Sequence, residues 1–259
     1  MNHSIVDHRS GVAQNEFARW AYRSGVHRGE DFVINNFLAA DKRTLEAGTG
    51  GGRMLLNLQS RGFSDLHGFD YLPDLIEIAR ARDETHTIEY RVLDAVRLDY
   101  QDNSFDQLLY LQQVLCFLAT ESDQCRAVDE AFRVLRPGGT LVACVLADRT
   151  RRQSWIQRRV ISYLRCVRTL TRSRRSVQYS PWLRRDSKLR FGALLDRGPY
   201  VYWFEEKEAV ALFQRAGFEV VSLGSDAQVA AGRFLETVDD LQHAPFRGGL
   251  YLVCRKPGA

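Results

Sequence analysis

The chain has 259 residues, 45% hydrophobic and 26% charged, enough to bury a full core in one large domain. It holds no apolar run of about eighteen residues, and the opening MNHSIVDHRSGVAQNE lacks the basic-then-apolar order of an export signal, so a cytoplasmic location is expected. The net charge of +4 conceals an asymmetry: Arg149 to Arg190 carries fourteen Lys or Arg against the single acid Asp186, a local +13, while everything else sums to −9.

In chain order, Asn15–Tyr22 reads as a helix with Phe17, Trp20 and Ala21 on a weak apolar face, part of an N-terminal helical cap over residues 1–40. Short β-branched or apolar runs then alternate with amphipathic stretches from Arg43 to Val145, the pattern of a doubly wound α/β sheet. Thr44–Ala47 is the first strand, followed by a glycine turn into a helix over Arg53–Arg61. Asp65–Asp70 is the second strand, Pro73–Arg82 a helix with proline in its first turn, and Ile88–Val92 the third strand. Phe105–Leu111 is the fourth strand. A helix over Ser122–Leu135 stops at Arg136-Pro137-Gly138-Gly139, and Thr140–Leu146 is the fifth strand. A basic helical insertion over residues 149–199 breaks the rhythm, which resumes with a helix over Glu205–Ala216 and a strand over Phe218–Leu223. A long excursion then leads to a last strand, Gly249–Cys254. One domain spanning residues 1–259 is therefore expected. The five cysteines (Cys116, Cys125, Cys144, Cys166, Cys254) are odd in number, have no C-x-x-C pair and no neighbouring His, and read as reduced core residues with no metal site.

The glycine turn Gly48-Thr49-Gly50-Gly51-Gly52 is of the kind that accepts nucleotide-like ligands, and its surroundings select among them. The dinucleotide fingerprint needs a small residue five positions after its first glycine, where Arg53 stands here. Glu46, two residues before Gly48, would repel a pyrophosphate but attract a cation, directly or through a backbone amide. Gly48 and Gly50 clear side chains from the backbone a ligand must approach. Asp70, twenty-four residues after Glu46, can accept both hydroxyls of a ribose. Asp94-Ala95, past the third strand, suits an adenine amino group, and Tyr71 suits the adenine face.

The successive segments LEAGTGGGR, LHGFDYLPDLIEIARAR, LDAVRLDYQDNSFDQLLYLQQVL and FRVLRPGGTLVACVL resemble the motifs of class I S-adenosylmethionine-dependent methyltransferases of the small-molecule type. FEEKEAVALFQRAGFEVV is similar to the late helix and strand of that fold. The resemblance implies a seven-stranded sheet ordered 3-2-1-4-5-7-6 with strand seven antiparallel, and S-adenosylmethionine as cofactor with S-adenosylhomocysteine as product. It implies that Glu46, Gly48, Thr49 and Gly50 line the methionine side, Asp70 holds the ribose and Asp94 the adenine, while Leu111 and Gln112 border the sulfonium. Gln112-Gln113-Val114-Leu115 departs from the catalytic tetrapeptide of methyltransferases acting on adenine or glutamine amino groups, which disfavours those acceptors.

For the acceptor, Gln112 is a candidate orienting group and His243 a candidate base in the loop before the last strand, while His67 reads as structural. Tyr200, Tyr202 and Trp203 either wall the acceptor pocket or pack against the sheet. In the insertion, Trp155, Ile156, Val160, Tyr163, Leu164, Val167 and Leu170 form one apolar helical stripe, with Arg158, Arg165 and Arg172 on another face. Arg174, Arg175, Tyr179, Trp182, Arg184 and Arg185 interleave cations with aromatics. A lid helix, an anionic acceptor, a membrane surface and RNA are all open for residues 149–190. The expected activity is O-methylation of a small-molecule or glycan-type acceptor. The alternatives are a tRNA methyltransferase and a non-catalytic S-adenosylmethionine binder.

Overall fold

The computed structural model describes residues 17–182, 184–185 and 188–258, and the side chains of residues 183–189 lie outside the described part. After a helical turn over residues 17–22 (α1), the elements run α2 (Arg28–Phe37), β1 (Thr44–Ala47), α3 (Arg53–Ser60), β2 (Leu66–Asp70), α4 (Pro73–Arg82), β3 (Glu89–Val92) and β4 (Phe105–Tyr110). A 3-10 turn (Val114–Phe117), α5 (Glu121–Val134) and β5 (Leu135–Leu146) complete the regular half. The insertion holds α6 (Asp148–Gln153), α7 (Trp155–Leu170), β6 (Tyr179–Pro181), β7 (Arg184–Arg185), β8 (Lys188–Leu189), α8 (Phe191–Leu194) and β9 (Tyr200–Tyr202). The chain ends with α9 (Glu206–Arg215), β10 (Glu219–Ser225), α10 (Asp226–Ala230), α11 (Val238–His243) and β11 (Gly249–Arg255).

Seven strands form one sheet in the order β10-β11-β5-β4-β1-β2-β3. With the insertion's strands left out of the count, this is 3-2-1-4-5-7-6. The seventh strand, β11, runs antiparallel to both its neighbours, and the remaining pairs are parallel. Alternation along the central strands divides their side chains between two cores. Leu108 and Tyr110 of β4 and Leu141, Ala143 and Val145 of β5 join Ala127, Val128 and Phe213 from α5 and α9 on one face. Leu109, Leu111, Val142 and Cys144 join Leu55, Ile76 and Val33 from α3, α4 and α2 on the other.

Three segments differ from their sequence reading. The helix before β5 stops where the Arg-Pro-Gly-Gly run requires, yet the strand begins at Leu135 rather than Thr140. A bulge absorbs the extra residues: Phe105 pairs with Leu135 and Gln107 already with Thr140, while Gly138 turns at φ +79° and donates to the Lys256 carbonyl at 2.8 Å. The excursion before β11 contains the short helices α10 and α11. Of the cysteines, Cys116, Cys144 and Cys254 are buried and all five are free, but Cys166 lies exposed on α7.

The insertion is built around two buried arginines. Arg151 pairs with Asp148 and donates to the Val177 carbonyl at 2.9 Å and the Ser180 hydroxyl at 2.7 Å. Arg168 binds both oxygens of Asp196 at 2.7 and 2.6 Å and the carbonyls of Ser176 and Tyr179 at 2.6 and 2.7 Å. Each guanidinium is thus paired and hydrogen-bonded, the condition under which a buried charge is tolerated.

Candidate cofactor and acceptor site

A cavity of about 350 Å³ opens where β1 lies between β2 and β4, the point at which the strand order reverses. Its walls include Gly48, Thr49 and Gly50 after β1, Asp70 and Tyr71 after β2, Asp94 and Ala95 after β3, and Leu111 and Gln112 after β4. The ends of four parallel strands converge here because each strand of the α/β sheet delivers its following loop to the same edge.

Glu46 is not part of that wall surface. It is fully buried behind it, one carboxylate oxygen accepting from the Thr49 hydroxyl at 2.7 Å and the other, Oε1, without a hydrogen bond. Burial pushes its pKa up to about 8, against the weaker opposing effects of Thr49, the Arg53 charge and the nearby Gln112 amide. An orphaned buried carboxylate oxygen beside the cavity fits a ligand that brings an ammonium group. Asp70 is held from below: Oδ2 accepts from the Gly50 amide at 2.9 Å and Oδ1 from the Leu72 amide at 3.0 Å. Desolvation raises its pKa despite those amides. Each oxygen retains a lone pair for a diol. Asp94 Oδ1 accepts from the Val96 amide at 3.2 Å, which fixes the turn presenting it.

The glycine turn meets protein on one side and the cavity on the other. Gly48, at φ +65°, lies so close to Val114 that a Cβ would come within 2.5 Å of its Cγ2. A Cβ on Gly51 would sit 2.0 Å from the Ala21 carbonyl oxygen, and the Gly51 amide donates to the Trp20 carbonyl at 3.0 Å. The glycines therefore admit the N-terminal segment as well as a ligand. Arg53 explains the departure from a small residue at its position. Its guanidinium is buried against Glu30 of α2 at 2.6 and 2.7 Å and also donates to the Gly25 carbonyl at 2.7 Å. Arg82 adds bonds to the carbonyls of Ala21 at 2.9 Å, Gly51 at 2.7 Å and Arg23 at 3.1 Å. The segment so fastened brings Arg19, Trp20, Arg23 and His27 into the cavity wall.

Opposite the glycine turn, Gln113 adopts a left-handed conformation at φ +60° and starts the 3-10 turn that carries Phe117 to the cavity. Phe117 lies between Trp20 and Trp182, with ring centroids 5.5 Å from each. Trp182 comes from the insertion, where its amide donates to the Pro199 carbonyl at 2.8 Å. Three distant parts of the chain thus meet in one aromatic wall.

Part of the chain resembles known proteins. Residues 45–143 match the family model described as a methyltransferase domain. The demethylmenaquinone methyltransferase of Thermus thermophilus is 36% identical over 106 residues, 40% of this chain and 46% of that protein. Methyltransferase GfsG of Streptomyces halstedii is 30% identical over 108 residues, 40% of this chain and 37% of that protein. The match spans about half the length of such curated relatives or less. A SAM-dependent methyltransferase structure from Methanosarcina mazei superposes with a TM-score of 0.65 at 24% identity, over 88% of this chain and 98% of that one, and supports the fold. Residues 45–143 thus match a methyltransferase domain, and the fold around them is similar to that of a SAM-dependent methyltransferase.

Of the sequence-predicted residues, His243 does not reach the cavity. It ends α11 on the exposed surface, with its Nδ1 2.8 Å from the Asp239 carbonyl, because the excursion before β11 folds into helices rather than a loop over the site. Tyr200, Tyr202 and Trp203 do not line the cavity either. Tyr202 is buried in the core between Tyr179 and Phe204, and Tyr200 stacks under the Arg175 guanidinium at 3.7 Å. His67 lies away from the cavity, with Nε2 2.7 Å from Asp65. Sequence reasoning missed Arg19, Arg23, His27, Phe117 and the placement of Trp182. The Arg53 anomaly was the one local signal, since a buried-side arginine after a glycine turn needs an acidic partner, which Glu30 supplies.

Proposed function

We propose that this chain transfers a methyl group from S-adenosylmethionine to the oxygen of a small-molecule acceptor that is planar or apolar where it meets the protein. The observation that carries the reading is the cavity itself, which combines the carboxylates of Asp70 and Asp94, with Glu46 buried behind its wall, and an aromatic wall of Trp20, Phe117 and Trp182. In this reading Glu46 and Thr49 hold the ammonium end, Arg19 and Arg23 balance the carboxylate, Asp70 takes the ribose hydroxyls, and Asp94, Ala95 and Tyr71 take the adenine. The relative from Thermus thermophilus, a demethylmenaquinone methyltransferase by name, supports a small-molecule acceptor. A glycan ring would stack on the same wall.

S-adenosylmethionine, when bound, supplies a methyl group on a sulfonium, open to in-line displacement. The chain's contribution is to place the acceptor oxygen and to keep water away. Gln112, beside Glu46 at the end of β4, orients the acceptor through its amide. Phe117, Leu118 and Trp182 form an apolar surface against which a ring can lie and from which water is displaced.

The test is calorimetric titration with S-adenosylhomocysteine, followed by labelled-methyl transfer to fractionated cell extract and mass spectrometry of the product. Wild type should bind and Asp70→Ala should lose most of the affinity. Binding of NADH in place of S-adenosylhomocysteine, or equal affinity of the variant, would overturn the cofactor assignment. Methylation on nitrogen or carbon would overturn the oxygen assignment.

A further inference from the structure

The apolar stripe of α7 divides into two in the folded protein. Ile161 and Leu164 are buried with Arg168, and Val160 and Val167 beside them are half-buried, so one side of the helix docks on the domain. Trp155, Ile156, Tyr163 and Leu170 face outward, with Trp155 63% and Leu170 78% exposed. At about 100° per residue these four occupy one arc of the helix. Arg158 and Arg165, both exposed, follow a neighbouring arc at seven-residue spacing, and Arg172, also exposed, lies just past the end of the helix.

The surface continues beyond the helix. The Tyr163 hydroxyl donates to the Leu194 carbonyl at 2.6 Å and ties α8 alongside, where Phe191 is 82% exposed and Leu194 and Leu195 are exposed as well. Seven of the ten large hydrophobic side chains exposed among the described residues belong to this one region. Soluble surfaces scatter such groups singly, and a contiguous set marks a contact surface.

We propose that the outer face of α7 and α8 is a membrane-docking surface that lays Trp155, Ile156, Tyr163, Leu170 and Phe191 into the headgroup region of an anionic lipid bilayer. Charge complementarity selects that occupant. Residues 149–190 carry +13 in sequence and the rest of the chain −9, and although Arg151 and Arg168 are buried and paired, Arg158, Arg159, Arg165, Arg172, Arg174 and Arg175 are exposed, so an anionic surface attracts this segment more than the rest. Arginines flanking an exposed arc of Trp, Ile, Tyr and Leu are the arrangement of a helix lying in the interface plane. No described helix is long and apolar enough to cross a membrane, so the contact is peripheral. Arg159, whose guanidinium lies 5.9 Å from the Trp155 ring centroid, sits within the apolar arc and can extend along it to the phosphates. The inference is independent of the acceptor's identity and of methyl transfer.

The experiment is co-sedimentation of the full chain with vesicles of phosphatidylcholine containing phosphatidylglycerol, against vesicles of phosphatidylcholine alone. Binding should require the anionic lipid and weaken with salt. The Leu170→Glu/Phe191→Glu double variant should lower the partition coefficient about tenfold or more with an unchanged circular dichroism spectrum. Brominated lipids should quench wild-type tryptophan fluorescence, and Trp155→Phe should remove most of that quenching. Failure to bind anionic vesicles would overturn the proposal. So would binding that the apolar variants leave unchanged, the result expected if the arginines serve RNA. A chain that is dimeric in sedimentation velocity and made monomeric by the double variant would show that a second copy covers the face.

Discussion

The sheet domain and the basic insertion use similar residues to opposite ends. In residues 43–146 the apolar side chains of the central strands are buried on both faces, and charged groups such as Glu46 are held inside by specific partners at strand ends. In the insertion only one side of α7 is buried, two of the fourteen cations, Arg151 and Arg168, are among its buried polar residues, and apolar groups remain outside. The difference teaches that a buried charge in this protein marks a fixed geometry, whereas an exposed apolar group marks a surface awaiting a partner. The cavity sits between these regimes, because Trp182 reaches it from the insertion and Trp20 from the N-terminal segment.

The largest expected effect comes from breaking a charge on the fixed side. Glu30→Ala leaves the Arg53 guanidinium buried without its carboxylate and should cost about 3–5 kcal/mol in urea unfolding, as for other buried pairs that lose one member. A loss below about 1 kcal/mol would show that Arg53 is hydrated, as a surface pair is.

Glu46 gives the next effect. Its pKa of about 8 in the unliganded protein means that a cationic ligand must draw it into the charged form. Affinity for S-adenosylhomocysteine should therefore rise with pH by up to about tenfold per unit below pH 8 and level off above it. Glu46→Gln should flatten that slope. The sign for stability is opposite: the raised value favours the neutral carboxyl in the folded state, a contribution present below the ordinary carboxylate pKa and lost as pH rises through about 8. The melting temperature of Glu46→Gln relative to wild type should therefore climb between pH 5 and 8, and calorimetry at both ends decides it.

Trp182→Ala tests the bridge between the two regions. It should raise the acceptor KM by about three- to tenfold, the worth of an aromatic contact, while leaving the Kd for S-adenosylhomocysteine unchanged. A change in cofactor affinity alone would move Trp182 to the cofactor side. The smallest effect belongs to the exposed cations: Arg158→Gln, Arg165→Gln and Arg172→Gln should each alter unfolding free energy by no more than about 0.5 kcal/mol, whatever they do to vesicle binding.

Local pattern alone determined most strands and helices of residues 43–146, since a buried parallel strand must be an apolar run and a glycine turn must follow where β1 meets α3, while the early start of β5 at Leu135 was not legible. The placement of Asp70 and Asp94 at the cavity was legible for the same reason, as polar residues immediately at the ends of such runs, whereas Glu46 lies buried behind its wall. Only the tertiary structure decided what closes the cavity. Arg53 finds Glu30 twenty-three residues earlier, Phe117 meets Trp20 and Trp182 from either side, and His243 is carried away by a helix. Those contacts join segments far apart in the chain, and no periodicity or spacing within one segment records which distant partner will share its surface. The same holds for the stripe of α7: its period of apolar residues predicted an amphipathic helix, but which half of that stripe would be buried depended on the angle at which the helix meets the domain.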